Sequence, residues 1–260
     1  MSSPDWHDAA VLSVAPATQL LPCPANGRMY SINGTVRLGN VDRNGRMRLD
    51  AVARFMQDVA TDDASAVGLD RAYGWLVRRT LIEVVQPARL GEEIEVSTWC
   101  TGIGRSWAER RTRIVGEGGA SIDAVSLWVQ VDVRTGRPAR VAADFLDAYS
   151  TTAAGRTVSA RLSLPGADIG DATTPWAVRR TDLDPFGHVN NAATWAFLEE
   201  AGEIDASERI GCAEMEYLQS VEHDDTSLEL VTHVDNGTTT AWLVDCGLVR
   251  AVGRWTPAVD

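Results

Sequence analysis

The chain has 260 residues, of which 45% are hydrophobic and 23% are charged, which leaves room for one large domain or two of ordinary size. Its formal net charge of −12 argues against a nucleic-acid-binding protein, because such proteins carry a basic face. All 24 Lys and Arg positions are arginine, which excludes Schiff-base and P-loop lysine chemistry.

The four cysteines are far apart in the sequence and form no C-x-x-C pair, so neither a zinc site nor a disulfide framework is predicted. The amino terminus lacks the basic start and long apolar core of a signal peptide. No apolar run is long enough to cross a membrane. We therefore expect a cytoplasmic protein without a membrane span, and no residue pattern indicates a metal or another cofactor.

In chain order, residues 1–27 contain four prolines and predict an irregular arm. Residues 30–38 alternate as a strand does, and residues 49–67 place apolar side chains at helical spacing, with Asp58, Asp62 and Asp63 on the far face. Further strands are predicted over residues 75–85, 94–101, 107–115 and 124–133.

The second half repeats this order. Its predicted elements are a strand over residues 176–181, a helix over 192–210 and strands over 214–221, 227–234, 239–244 and 248–255. Asn236-Gly237 is a strong hairpin signal between two of these strands. We place the first domain at residues 28–150, a linker at 151–174 and the second domain at 175–256.

An internal repeat supports this division. The window that begins at Asp42 repeats the Asp-x-x-Gly spacing of the window that begins at Asp184, an offset of 142 residues. The same offset pairs Phe55 with Phe197. A period of this length is too long for a solenoid and predicts two homologous domains. One long helix on one antiparallel sheet, formed twice, is an α+β architecture.

The most polar window of the chain is Arg180-Thr-Asp182-Leu-Asp184-Pro-Phe-Gly187-His188-Val-Asn190-Asn191, directly before the second predicted helix. A carboxylate four residues from a histidine suits general acid/base chemistry, and backbone N–H groups at a helix start can bind an oxyanion. The alternative is a capped, acidic helix start, since Asp and Asn are ordinary N-cap residues. Asp182 fits a structural role, paired with Arg180.

A helix wrapped by an antiparallel sheet, with D-x-x-G-H-V-N-N at the helix entry, resembles the hotdog fold. Two such units in tandem resemble the acyl-ACP thioesterase family. The likeness covers roughly residues 30–255, and no single motif is decisive alone. Besides the polar window, it rests on the segments Phe55-Met-Gln57-Asp58, Trp75-Leu-Val-Arg-Arg79 and Trp128-Val-Gln-Val-Asp132.

The resemblance implies a hydrolase that converts fatty acyl-ACP or acyl-CoA to free fatty acid and carrier thiol, without a metal or cofactor. It implies an internal pseudo-dimer with the site at the seam between the two halves. Asp184 would act as general base or nucleophile, with His188 orienting it or the attacking water. The other candidates, for substrate binding or for the oxyanion, are Gly187, Asn190, Asn191, Gln57 and Asp58.

The sequence departs from the family pattern at three places. Phe186 stands where the plant-type motif D-x-N-x-H has its Asn, and Ser220-Val221 stand where that family has a Glu-Cys pair. Glu222-His223 could substitute for this pair only if the strand carries a bulge. Arg46 takes the place of the histidine in the first-half copy, so that copy is not expected to be an independent site. The remaining motif is closer to single-hotdog acyl-CoA thioesterases.

Two other functions compete with hydrolysis. A hotdog dehydratase spaces its Asp and His one residue further apart, as D-x-N-P-x-H, which Asp184 and His188 do not match. A non-catalytic acyl-binding double hotdog with a decayed site fits the loss of the family's Asn, Glu and Cys.

The expected partners are acyl carrier protein or acyl-CoA, without nucleic acid, and the sequence leaves a homodimer open. A row of arginines beside one strand could dock an acidic carrier protein. The same row could equally form a solvated strand face. These arginines are Arg105, Arg110, Arg111 and Arg113.

Overall fold

The computed structural model of the chain describes residues 20–22, 24–69, 73–167, 172–201, 210–223 and 227–258. Most of the predicted arm over residues 1–27 lies outside these residues, as does the end of the second predicted helix. Within the described part, no helix is long and apolar enough to cross a membrane.

Each half of the chain contributes one main helix and five strands. The first half contains β1 (Met29–Thr35), α1 (Leu49–Ala66), β2 (Tyr73–Gln86), β3 (Glu93–Ile103), β4 (Trp107–Gly116), β5 (Ser121–Asp132) and a further helix, α2 (Ala143–Ala153). The second half contains β6 (Ala172–Pro175), α3 (Trp195–Ala201), β7 (Ile210–Tyr217), β8 (Leu228–Asp235), β9 (Thr238–Asp245) and β10 (Leu248–Pro257).

All ten strands form one antiparallel sheet in the order β1-β3-β4-β5-β2-β7-β10-β9-β8-β6. The two halves meet where β2 pairs with β7, from Arg79 opposite Glu216 to Glu83 opposite Cys212. The predicted α+β architecture of two helix-and-sheet units, joined as a pseudo-dimer, is thereby confirmed. The predicted Asn236-Gly237 turn joins β8 to β9, with both residues at positive φ as such a turn requires.

The main core lies between the sheet and the helices. Leu49, Val52, Met56 and Val59 recur every three or four residues along α1, and each is at most 5% exposed. In α3, Trp195, Phe197 and Leu198 are at most 1% exposed and join the same core. This burial explains why both segments are helical, because an amphipathic helix gains most of its stability from packing its apolar face.

The predicted strand over residues 176–181 is wrong. The strand is β6, four residues further towards the amino terminus, and it pairs with β8 from Ala172 opposite Thr232 to Pro175 opposite Glu229. The pairing stops there because β8 begins at Leu228, whose carbonyl accepts the N–H of Trp176. The second helix also begins later than predicted, at Trp195, because residues 191–194 form tighter turns.

Asp63 does not lie on a solvent face of α1, as the helical spacing predicted, but is completely buried. Its Oδ1 accepts a hydrogen bond from Arg28 Nε at 2.6 Å. Its Oδ2 accepts from both terminal nitrogens of Arg110 at 2.7 Å and from the Tyr149 hydroxyl at 2.8 Å. A carboxylate is buried at this depth only when charges and donors surround it, and here they tie α1 to β4 and α2.

The structure corrects the interpretation of the arginine row for two of its four members, while Arg105 and Arg113 are exposed as the interpretation required. Arg110 is 8% exposed and Arg111 is 5% exposed, and Arg111 pairs with Asp123 at 2.6 Å. Both guanidinium groups therefore neutralise internal carboxylates. Neither a carrier-docking face nor a solvated strand face describes them.

Candidate active site

The polar window forms a tight turn that Asp184 holds together. Its Oδ1 accepts hydrogen bonds from the backbone N–H of Phe186 at 2.8 Å and of His188 at 3.1 Å. The Asp184 N–H in turn donates to the His188 carbonyl at 2.8 Å. Gly187 adopts a φ of 86°, which a glycine reaches without a steric penalty. The turn leaves Asp184 and His188 side by side at its base.

The first half contains the same turn. Asp42 Oδ1 accepts from the N–H of Asn44 and of Arg46, each at 2.8 Å. The two copies differ in what faces the second carboxylate oxygen. Arg46 Nε lies 3.7 Å from Asp42 Oδ2, whereas His188 takes the place of that arginine in the second copy. No described residue hydrogen-bonds Asp184 Oδ2, so this oxygen is available to a substrate or a water.

A cleft of about 1130 Å³ lies between the second-half turn and α1. It brings together residues from both halves of the chain, as expected for a site at the seam between them. Gly187 shapes the turn but does not line the cleft. The predicted site residues that do line it are Asp184, His188, Asn190, Asn191, Gln57 and Asp58.

The two asparagines differ in their contacts. Asn190 Oδ1 accepts the N–H of Ala192 at 2.8 Å, which is a capping hydrogen bond. The Tyr217 hydroxyl, which the sequence interpretation missed, donates to the Asn191 carbonyl at 3.0 Å and fixes the backbone at that point. Tyr217 is 9% exposed, and burial raises its pKa well above the usual range, so it donates as a neutral phenol.

Across the cleft, α1 presents Gln57 and Asp58. Removal of solvent by the cleft walls, together with the neighbouring Asp62, raises the pKa of Asp58 above its usual range. Beyond these polar groups, the cleft becomes apolar. Trp75 and Phe145 pack with ring centroids 4.7 Å apart, and Trp128 lines the same wall. The sequence suggested that one or two tryptophans could line an acyl tunnel, but it gave no signal for Phe145.

The strand after Tyr217 decides which residues replace the family's Glu-Cys pair. The N–H groups of Leu218 and Gln219 both donate to the Arg250 carbonyl, so regular pairing of β7 ends there. Gln219, Ser220 and Val221 line the cleft, while Glu222 pairs with His188 through the backbone and is absent from the lining. The position expected to hold a carboxylate therefore holds the Ser220 hydroxyl.

Two further carboxylates complete the region. Asp182 pairs with Arg179, whose Nη2 lies 2.8 Å from its Oδ1, and not with Arg180 as the sequence interpretation proposed.

Glu199 on α3 is the repeat equivalent of Gln57, and its Oε1 accepts the N–H of Leu49 at 3.0 Å. Burial is the largest effect on Glu199 and raises its pKa from 4.5 to about 7. In the first-half copy, the equivalent of Gln57 is therefore a carboxylate that binds the N–H at the start of α1.

No group of three or more His, Cys, Asp and Glu residues in the described part of the chain is arranged to hold a metal ion.

Two hotdog units with a cleft at their seam define the class of protein, and comparisons with known proteins agree. The sequence profile of the acyl-ACP thioesterase N-terminal domain matches residues 27–149, and that of the C-terminal domain matches residues 168–249. The chain belongs to the acyl-ACP thioesterase family.

Individual relatives extend this comparison. An uncharacterized protein of Mycobacterium tuberculosis is 31% identical over 182 residues, which cover 70% of this chain and 73% of that protein. The chloroplastic oleoyl-acyl carrier protein thioesterase of Coriandrum sativum is 24% identical over 248 residues, which cover 82% of this chain and 65% of the coriander protein. The structure of the 12:0-ACP thioesterase from Umbellularia californica shares the fold, with a TM-score of 0.74 and 23% identity, covering 90% of this chain and all of that one (100%).

Proposed function

We propose that the chain hydrolyses a fatty acyl thioester, carried by acyl carrier protein or by CoA, to the free fatty acid and the carrier thiol. One observation carries the proposal. Polar residues from both halves line one cleft together with the aromatic side chains of Trp75, Trp128 and Phe145. A thioester carbonyl in the cleft would then lie between Asp184 and α1, with its acyl chain against these aromatic side chains.

In the proposed reaction, a water oxygen attacks the carbonyl carbon while its proton passes to Asp184 Oδ2. The carbonyl π electrons move to oxygen and form an oxyanion, which backbone N–H groups near Asn191 stabilise. The oxyanion then collapses, the C–S bond breaks, and the leaving thiolate takes the proton that Asp184 Oδ2 accepted, which restores the carboxylate. His188 orients the water or the carboxylate. Direct attack by Asp184 on the carbonyl is the alternative first step, through an acyl-enzyme anhydride that water then hydrolyses.

Thiol release from acyl-ACP, acyl-CoA and acyl-pantetheine donors tests the proposal. Wild type should release thiol above background with at least one donor. His188→Gln should lower kcat by roughly a hundredfold or more, because a positioned acid/base group contributes about that much. His233→Gln is the matched control, since His233 lies exposed on β8 away from the cleft, and its rate should equal that of wild type.

A non-catalytic acyl-binding protein is the second candidate, because Phe186, Ser220 and Val221 replace three polar residues of the family pattern. Phe186 is 84% exposed at the rim of the cleft and offers no hydrogen bond from its side chain. Background thiol release from every donor, together with saturable binding of an acyl chain by the wild-type protein, would favour this candidate over hydrolysis.

A further inference from the structure

A second pocket, of about 410 Å³, lies beside the cleft at the meeting point of the two repeats. Its walls contain residue pairs that are related by the repeat offset of 142. These pairs are Arg37 with Arg179, Gly39 with Thr181, Asn40 with Asp182, and Arg54 with Ala196. Because the walls contain both members of each equivalent pair, the pocket lies on the pseudo-twofold axis that relates the two repeats. It therefore belongs to the fused pair of domains and could not exist in either half alone.

The pocket is positively charged, although the chain as a whole carries a net charge of −12. The charged residues in its walls are Arg37, Arg48, Arg54, Arg179, Asp50 and Asp182, which leaves two positive charges in excess. Four carboxylates outside the walls also act on these arginines: Glu199, which is bound to the Leu49 N–H, Asp42, which pairs with Arg46, Asp58, one turn from Arg54 on α1, and the exposed Glu200. A local reversal of the overall charge of this kind concentrates anions at the site.

The arginines differ in how many of their donors are already used. Arg48 binds Asp50 and the carbonyls of Val41 and Gly39. Arg179 binds the Asp182 carboxylate through both Nε and Nη2.

The other two arginines keep free donors. Arg37 faces the neutral Asn40 at the equivalent position, and its one side-chain hydrogen bond among the described residues goes to Thr35 Oγ1 at 3.1 Å. Arg54 uses only Nη1, on Asp50 at 2.7 Å. The excess charge and the free donors of the pocket therefore reside on Arg37 and Arg54.

We propose that this pocket binds a phosphate group that carries two negative charges, as a phosphomonoester or a diphosphate does. Guanidinium groups match phosphate oxygens in shape and form strong charge-assisted hydrogen bonds with them. A dianion neutralises the excess of two charges, whereas a phosphodiester neutralises only one. The volume of 410 Å³ accommodates either dianionic group.

The source of the phosphate is either the substrate or a free anion, and the first of these rests on the proposed function. Arg54 in the pocket and Asp58 in the cleft are one turn apart on α1, about 6 Å along its axis. The pocket and the cleft therefore share α1 as a common wall, so the pantetheine arm of a CoA thioester can run between them. CoA carries a diphosphate and a phosphomonoester, whereas the arm of an acyl carrier protein is attached through a single phosphodiester. The pocket should thus favour acyl-CoA donors.

Calorimetric titration with inorganic diphosphate tests the pocket without any need for turnover. Wild type should bind diphosphate, and Arg37→Gln with Arg54→Gln should weaken that binding by about tenfold or more, because charge-assisted contacts to phosphate are lost. The single variant Arg37→Gln loses only the hydrogen bond to Thr35. It replaces the double variant in the titration if the double variant does not fold. Arg140→Gln, at an exposed arginine outside the pocket, should bind as wild type does. Absent binding, or equal affinity in all four proteins, would overturn the proposal.

Kinetics then separate the two sources. If CoA is the ligand, the double variant should raise KM for acyl-CoA by about tenfold, while KM for acyl-pantetheine, which lacks phosphate, stays unchanged. If the ligand is a free anion, diphosphate should alter the rates with both donors equally, and the variant should abolish that effect. Failure of the proposed function would instead appear as no hydrolysis of any donor, a result that leaves the diphosphate titration unaffected.

Discussion

Each repeat begins its helix after a turn that one aspartate holds, Asp42 in the first half and Asp184 in the second. The hydrogen bonds of Oδ1 are the same in both turns. The chemical difference arises from two positions, where Arg46 and the Asn44 amide contact Asp42 Oδ2 and where His188 and Phe186 stand in the second turn. A substitution of Asp184 by Ala would therefore break the turn as well as remove the carboxylate. Asn keeps an oxygen acceptor for both N–H groups and removes only the charge.

Glu199 carries a pH-dependent prediction at the residue scale. The folded protein holds a proton on Glu199 up to about pH 7, whereas the ordinary pKa of the group is 4.5. Between these values the folded state binds more protons than the unfolded chain, so Glu199 lowers the stability as pH rises through this window. The loss amounts to roughly 3 kcal/mol and is complete above about pH 7.

Glu199→Gln should remove this loss, because an amide oxygen still accepts the Leu49 N–H and has no charge to desolvate. The free energy of unfolding of the variant, relative to that of wild type, should therefore increase between pH 5 and pH 8. Urea unfolding at both pH values measures it. Glu200→Gln, at an exposed neighbour, is the control and should show no such shift. Equal pH dependence in the two variants would contradict the assignment.

At the scale of the elements, α1 is anchored at both ends. At the amino-terminal end, the N–H of Leu49 donates a hydrogen bond to Glu199. Near the carboxyl end, Asp63 accepts hydrogen bonds from Arg28, Arg110 and Tyr149. Because α1 forms one wall of the cleft, these anchors also fix Gln57 and Asp58 relative to the turn across the cleft.

Asp63→Ala should destabilise the protein by about 3 to 5 kcal/mol, because it leaves the buried Arg110 and the partly buried Arg28 without their carboxylate. Asp62→Ala, one residue earlier on the exposed face, should change the stability by no more than about 0.5 kcal/mol. Thermal or urea unfolding of the two variants checks this. A loss for Asp63→Ala as small as that for Asp62→Ala would contradict the role of the buried cluster.

The same elements indicate what the sequence can and cannot predict. The periodicity of residues 49–67 predicts α1 within one residue of its observed end, since the buried face dictates the spacing. The strand over 176–181 was misplaced because its limits depend on its partner β8, and local alternation contains no information about a partner. Asp63 was misassigned for a related reason. Its donors come from positions 28, 110 and 149, and no helical pattern refers to them.

At the scale of the whole molecule, the repeat offset of 142 correctly predicted two equivalent units, while the site at their seam is implied by the family resemblance and remains a prediction. The offset also relates Gln57 to Glu199 and Asn40 to Asp182, and these pairs show where the halves have diverged. One half has Gln57 at the cleft, the other has Glu199 on the Leu49 N–H, and the axis between them holds the arginine pocket. The chamber wall formed by Phe145 could not be predicted, because α2 lies in a stretch without a clear pattern and reaches the cleft only through tertiary packing.

The central claim is that Asp184 supplies the reacting carboxylate while its twin Asp42 is structural. The most direct test compares kcat for Asp184→Asn and Asp42→Asn with that of wild type, with circular dichroism and unfolding to verify the fold of each. The account predicts a loss of roughly a hundredfold or more for Asp184→Asn and a rate close to wild type for Asp42→Asn. Equal rates in both variants, with both folded, would contradict it.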